Sequence, residues 1–335
     1  MKKIGILTFA FADNYGAVLQ SYALKRYIES KGYQVSIIDY RPRKMYSIRT
    51  RIRKIFYNNM QENKFKAFRK KYLNISLKNN YDIVVVGSDQ VWNPEIICFD
   101  KNWFEPRCQY NKIIAYAVSV GKERLSIRER EFFLNNKERL NNYCAIGVRE
   151  TSAKKLLETM DIKATVVCDP TFLLMNKIGE YDKIAKSSLI NIQDEYILVY
   201  ALEPSQKMDN ILKKIKNRYA YNTIAIHPMN VCYCEVDNFV QNAGPEDFLK
   251  LVKNAKMVVT NSFHGLAFSL IYGKETISIT HTLLGARQKQ IYQLLDIGAE
   301  YLEEDVLRIR NNAEKANIKE MIFASERFIK KNILQ

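Results

Sequence analysis

The stretch VVTNSFHGLAFSLIYGK, residues 258–274, places one of the chain's three histidines on a strand-to-helix turn. Asn261, Ser262, Phe263, His264 and Gly265 form the turn, and 266–272 reads as a short apolar helix. A helix N-terminus aims free N–H groups at an anion, and an imidazole beside it can bind that anion or protonate it. A histidine satisfied by its local structure is the competing reading, and the residues alone leave both open.

Three further stretches have chemistry-bearing residues where strands end. In FADNYGAVLQ, residues 11–20, Asp13, Asn14, Tyr15 and Gly16 join a strand to a helix, at the carboxyl edge where open α/β sheets bind ligands. An ordinary helix cap would use the same Asp and Asn. In VVVGSDQVWNP, residues 84–94, Ser88, Asp89, Gln90, Trp92 and Asn93 suit a polar ligand such as a sugar, with the indole for stacking and Asp89 for a hydroxyl. A turn closed by its own Asp and Asn is the alternative. In IGVRETSAKKLL, residues 146–157, Arg149 ends an apolar strand and offers parallel N–H donors to a carboxylate or phosphate. Pairing with Glu150 is the structural alternative, although neighbouring strand residues point to opposite faces.

Other chemistries fall away. Gly16 is the single glycine of the first strand-to-helix turn, so the GxGxxG loop of a dinucleotide site is missing despite Asp39 at the end of the next strand. HExxH, Walker and GxSxG patterns are absent, and Cys232-Tyr-Cys234 is too little for zinc. Neither a metal nor a resident cofactor is expected.

The elements that must position these residues follow from periodicity. An apolar run at 4–9, helical spacing of Val18, Leu19, Tyr22, Ala23 and Ile28, and a second run at 35–39 make a βαβ unit. Strand-like runs at 83–86, 113–118, 145–148 and 164–168 alternate with helical patterns at 126–140 and 151–159. The alternation restarts with 196–202, 205–217, 223–226, a helix opening at Pro245, the strand and helix of 258–272, and 276–279. This predicts an α/β protein of two Rossmann-like, doubly wound domains, over 1–175 and 190–312, with a cleft between them. Ile318, Met321, Ile322, Phe328 and Ile329 predict a final helix within 313–335 that can pack back across a domain.

The formal net charge of +16 asks for an anionic partner. Residues 41–71 hold twelve Lys or Arg against the single acid Glu62, so most of the excess sits there. Met45, Ile48, Ile52, Ile55 and Phe56 recur at helical spacing among Arg49, Arg51, Arg53 and Lys54, a pattern suited to an anionic membrane surface or a lipid-linked diphosphate. A solvated basic face is the bland reading. Nucleic acid is set aside because no reader motif or base-stacking platform accompanies the charge. Six scattered cysteines, and a first apolar run broken by Asp13-Asn14, predict a cytoplasmic protein, peripheral at the inner face of the membrane.

Five motifs occur in order: DNYGAVLQ at Asp13–Gln20, GSDQVWNP at Gly87–Pro94, VRE at Val148–Glu150, DPTFLL at Asp169–Leu174 and SFHG at Ser262–Gly265. Together they resemble the polysaccharide pyruvyl transferase family. The resemblance implies a GT-B-like pair of domains, the acceptor on the first and the donor on the second. It implies transfer of pyruvate from phosphoenolpyruvate to two hydroxyls of one sugar, lipid-linked in the reading of the basic segment, with release of phosphate. Arg149, Asn261, Ser262, His264 and Gly265 would hold the donor, with His264 as phosphate ligand and proton donor. Asp89 or Asp13 would orient or deprotonate a hydroxyl, and Asn14, Tyr15, Gly16, Ser88, Gln90, Trp92 and Asn93 would meet the acceptor. In the better-known branch an Arg-Leu-His triplet holds the donor; Ser262 stands at the Arg position here, which makes Arg287 or Lys274 the expected replacement. A glycosyltransferase using a nucleotide sugar and a non-catalytic adaptor of polysaccharide assembly are the competing functions.

Overall fold

A computed structural model describes residues 2–40, 59–77, 80–219, 221–295, 298–313 and 315–334. The basic stretch with Arg49, Arg51, Ile52, Arg53, Lys54, Ile55 and Phe56 lies outside the described residues.

The front half forms a seven-stranded sheet from β1 (Lys3–Leu7), β2 (Gln34–Ile38), β3 (Ile75–Ser76), β4 (Asn80–Val86), β5 (Gln109–Val118), β6 (Ala145–Val148) and β7 (Thr165–Val166). Its order is β3-β2-β1-β4-β5-β6-β7 and every pairing is parallel. Helices cover both faces of such a sheet, so its strands bury both sets of side chains and read as unbroken apolar runs. Ile83, Val84, Val85 and Val86 of β4 illustrate this, none of them more than 3% exposed.

The back half repeats the plan with β8 (Tyr196–Tyr200), β9 (Asn222–Ala225), β10 (Asn238–Phe239), β11 (Met257–Thr260), β12 (Glu275–Ile279), β13 (Ala299–Glu303) and β14 (Val306–Ile309), in the order β10-β9-β8-β11-β12-β14-β13. Its pairings are parallel up to β12, and β14 and β13 close the edge as an antiparallel hairpin. In each sheet the strand order reverses once, between β1 and β4 in front and between β8 and β11 behind. A reversal leaves a crevice outside the carboxyl ends of the two strands, because the following connections run to opposite faces.

The halves share one apolar core. The ring of Tyr15 stacks on Phe65 at 5.5 Å and on Phe248 at 5.0 Å, and its hydroxyl donates to the Ala243 carbonyl at 3.0 Å. Each such ring pair contributes about 0.5–1.5 kcal/mol beyond its burial. Gln61 Nε2 donates to the carbonyls of His227 and Ala243, and Lys64 pairs with Asp247 at 2.7 Å. Tyr15, expected at the acceptor, is therefore an interdomain packing residue. The final helix, Ala316–Asn332, lies on the front half: Ser325 Oγ accepts from the Cys168 N–H at 2.8 Å, and Phe328 packs against Tyr116 and Gly147.

Candidate active site

The two crevices face one another and enclose a cavity of about 250 Å³. The front half lines it with Phe9, Asn14, Ala17, Asp89 and Gln90, and the back half with Leu202, Asn261, Ser262, Phe263, His264, His281 and Arg287. Asn14 caps the helix Tyr15–Glu29 by accepting from the Ala17 N–H, and Ser262 caps Phe263–Ile271 by accepting from the Gly265 N–H at 3.3 Å. Asn261 ties the β8 loop to the β11 loop, accepting from the Leu202 N–H at 2.7 Å and donating to the Glu203 carbonyl.

Beneath the cavity runs a buried chain of charges. Arg149, at the end of β6, donates from Nη2 to Asp89 Oδ1 at 2.9 Å and from Nη1 to Asp169 Oδ2. Asp169 is held on its other oxygen by the Thr171 N–H and hydroxyl, at 2.9 and 2.8 Å. Arg287 Nη1 approaches Asp89 Oδ1 at 3.5 Å, and both guanidiniums lie over the Phe263 ring, 5.1 Å away for Arg149 and 5.2 Å for Arg287. Aromatic faces attract cations, so Phe263 steadies two like charges that would otherwise separate.

The site's titration behaviour follows from this packing. Burial would push the Asp89 carboxyl up, but the guanidiniums of Arg149 and Arg287 outweigh it and hold the group below the usual carboxylate range. Burial, reinforced by the like charge of Arg149, lowers Arg287 to about 10, where it is still a cation at neutral pH. His264 is lowered to about 4, chiefly by burial, although Asp169 and Asp89 pull the other way. Its imidazole is neutral at pH 7. Nε2 lies 3.8 Å from Asp169 Oδ2 and has no hydrogen-bond partner among the described residues, and the same holds for Arg287 Nε. A buried polar atom without a partner costs roughly 1–3 kcal/mol, and two at one cavity mark a place built to receive something. A guanidinium beside a neutral, protonatable imidazole can bind an anion and take up a proton with it.

The structure departs from expectation at several residues. Arg149 is not an open fork, because two carboxylates already hold it. Its neighbour Glu150 turns away to the Ser119 hydroxyl and the N–H groups of Val120 and Gly121. Trp92 is 1% exposed, donates from Nε1 to the Trp103 carbonyl and packs on Phe104, so it fills the core and offers no face to a sugar. Ser88 and Asn93 are buried, the latter donating to the Gln90 side chain at 3.1 Å. Asp13 pairs with Arg69 at 2.9 Å outside the cavity lining. Lys274 precedes β12, at the opposite end of that strand from the cavity, whereas Arg287 follows the strand and enters it. Gly16 sits against His264: a Cβ there would overlap the imidazole. Asp169, Phe263, His281 and Gln288 had no assigned role, although Asp169 opens the DPTFLL motif that contributes to the family resemblance.

The chain has counterparts among known proteins. A family model described as polysaccharide pyruvyl transferase matches residues 14–282. No curated protein matches the sequence. Among solved structures, a UDP-GlcNAc 2-epimerase from Methanocaldococcus jannaschii in complex with UDP-GlcNAc and UDP is similar at 15% identity and a TM-score of 0.48, covering 99% of each chain. A Rickettsia bellii UDP-N-acetylglucosamine 2-epimerase is similar at 10% identity and a TM-score of 0.47, covering 100% of this chain and 99% of its own. An E. coli heptosyltransferase with ADP gives 12% identity and a TM-score of 0.40, covering 98% of this chain and 99% of its own. The family match takes in Asn14, Asp89, Arg149, Asp169 and the His264 turn and ends before Arg287, and the chain belongs to the polysaccharide pyruvyl transferase family.

Proposed function

We propose that the cavity binds phosphoenolpyruvate and that the protein transfers its three-carbon unit to two hydroxyls of one sugar, forming a cyclic ketal. One observation carries the reading: Arg287 Nε and His264 Nε2 are both buried, both unpartnered among the described residues, and both belong to residues lining the cavity between the two crevices. A volume of about 250 Å³ suits a compact, multiply charged metabolite; larger ligands generally occupy roughly 300–1,000 Å³.

In this reading the donor's phosphate lies against Arg287 and His264. Its charge raises the imidazole's proton affinity, so His264 gains a proton as the donor arrives and passes it to carbon three of the enol. Carbon two becomes electrophilic, a sugar oxygen bonds to it, and the bond from carbon two to the phosphate oxygen breaks with the electron pair leaving on phosphate. The second hydroxyl then closes the ring. Of the two hydroxyl protons, one replaces that given to the methyl carbon and the other leaves with phosphate. No metal or resident cofactor enters these steps.

The acceptor is proposed to be a lipid-linked saccharide met at the cytoplasmic face of a membrane, a reading supported by the basic, amphipathic sequence around 45–56. Among the described residues no helix is long and apolar enough to cross a membrane. The test is incubation with phosphoenolpyruvate and a saccharide panel, reading phosphate release together with a pyruvate-ketal mass gain on the sugar. Absence of both, with binding of a nucleoside diphosphate in place of phosphoenolpyruvate, would favour glycosyl transfer.

A further inference from the structure

Two carboxylates contact the Arg149 guanidinium, and they are not equivalent. The Asp169 side chain is fully buried and anchored by Thr171, while that of Asp89 is 12% exposed and lines the cavity. Asp89 is also the one carboxylate among the described residues that ion-pairs with both guanidiniums, at 2.9 Å to Arg149 and 3.5 Å to Arg287. Its carboxylate stands against Nη1 of Arg287, so an anion drawn to that guanidinium from the cavity meets a negative charge already beside it. Carboxylate and phosphate oxygens fit the same guanidinium fork, so the two compete for it, and their mutual repulsion forbids sharing. Protonating Asp89 would relieve the conflict, but its neighbours hold that carboxyl in the ionised form.

We propose that Asp89 and the donor anion exchange places: the donor takes over the place of Asp89 beside Arg287 and Arg149 Nη2, Asp169 keeps Arg149 in position, and the released Asp89 carboxylate accepts a hydrogen bond from the sugar hydroxyl. The assignment of donor and sugar rests on the pyruvyl-transfer reading; the exchange itself concerns any small divalent anion. Donor binding then precedes acceptor binding, because the acceptor's partner is made available by the donor.

The test is calorimetric titration of the full chain and of Asp89→Asn with inorganic phosphate and, separately, phosphoenolpyruvate. Asparagine keeps the size of the side chain and tolerates the positive φ of 78° at this position. The expected result is phosphate affinity at least tenfold tighter in Asp89→Asn, with ketal formation lost. Equal or weaker phosphate affinity overturns the exchange. If Asp89→Asn gives no cooperative melt, a crystal structure of the unsubstituted protein with phosphate decides. An Asp89–Arg287 separation clearly beyond 3.5 Å supports the proposal, and bound phosphate with both Asp89 contacts intact refutes it. Phosphate tightening without any phosphoenolpyruvate binding to the unsubstituted protein would sink the pyruvyl-transfer reading and leave the exchange standing.

Discussion

Gly16 and His264 meet across the interdomain cleft so closely that a Cβ at position 16 would overlap the imidazole at Nδ1, Cγ and Cε1. The front half thus sets the orientation of the ring that the back half supplies. Gly16→Ala must displace either the ring or the helix, a misfit costing about 1–3 kcal/mol. Turnover is expected to fall at least tenfold while the protein remains folded, as judged by thermal melting and initial rates. Unaltered rates would show that the ring's position is immaterial.

His264 couples stability to pH. Its folded value of about 4 lies below the ordinary value of 6.5, so the folded state favours the neutral ring. The associated stability is fully present above pH 6.5 and is lost as pH falls towards 4, on the order of 3 kcal/mol in all. Urea midpoints of the unsubstituted protein should therefore drop more steeply between pH 6.5 and 4 than those of His264→Gln. Parallel curves would contradict the burial of an uncharged imidazole.

The two arginines should separate by experiment. Arg149→Leu strands Asp169 without its cation and leaves Asp89 only the more distant Arg287, and breaking a buried pair from one side costs about 3–5 kcal/mol. Arg287→Gln leaves Asp89 paired with Arg149, so its main effect should be a tenfold or greater loss of phosphoenolpyruvate affinity with a small change in denaturation midpoint. Calorimetry and chemical denaturation on both variants test the contrast, and the reverse pattern would exchange the two roles.

Two residues that looked functional should prove otherwise. Trp92→Ala opens the front core and should cost about 3–5 kcal/mol, with no selective rise in the KM for the sugar. Lys274→Ala, at the far end of β12, should leave donor affinity unchanged. A selective KM effect in the first or a lost donor site in the second would restore the sequence-based assignment.

Replacing Arg49, Arg51, Arg53 and Lys54 with glutamine should abolish sedimentation with phosphatidylserine-containing vesicles, since each basic residue near such a surface contributes about 1 kcal/mol. Activity on a water-soluble acceptor should persist. Equal vesicle binding before and after would end the membrane reading.

The two-sheet plan was legible because parallel strands covered on both faces must be apolar throughout, and runs such as 83–86 and 258–260 announce themselves. The position of His264 was legible too, since a polar turn after an apolar strand lies at the carboxyl edge of a parallel sheet. Roles were less so. Trp92 follows a strand end as a sugar platform would, but the distant Trp103, Phe104 and Tyr143 close over it. Lys274 and Arg287 are both near in sequence to the His264 helix, and strand direction separates them.

By itself, then, the chain's order of residues determined the repeated α/β units, the strand ends where polar side chains gather, and the concentration of basic charge in 41–71, because these depend on periodicity and local composition. Tertiary structure decided which charges remain available. Arg149 meets Asp89 and Asp169 from strands separated in sequence, and Gly16 meets His264 across two domains. Whether a buried guanidinium is spent on a carboxylate or left for a ligand depends on distances of a few ångströms between such remote segments, which no local pattern encodes.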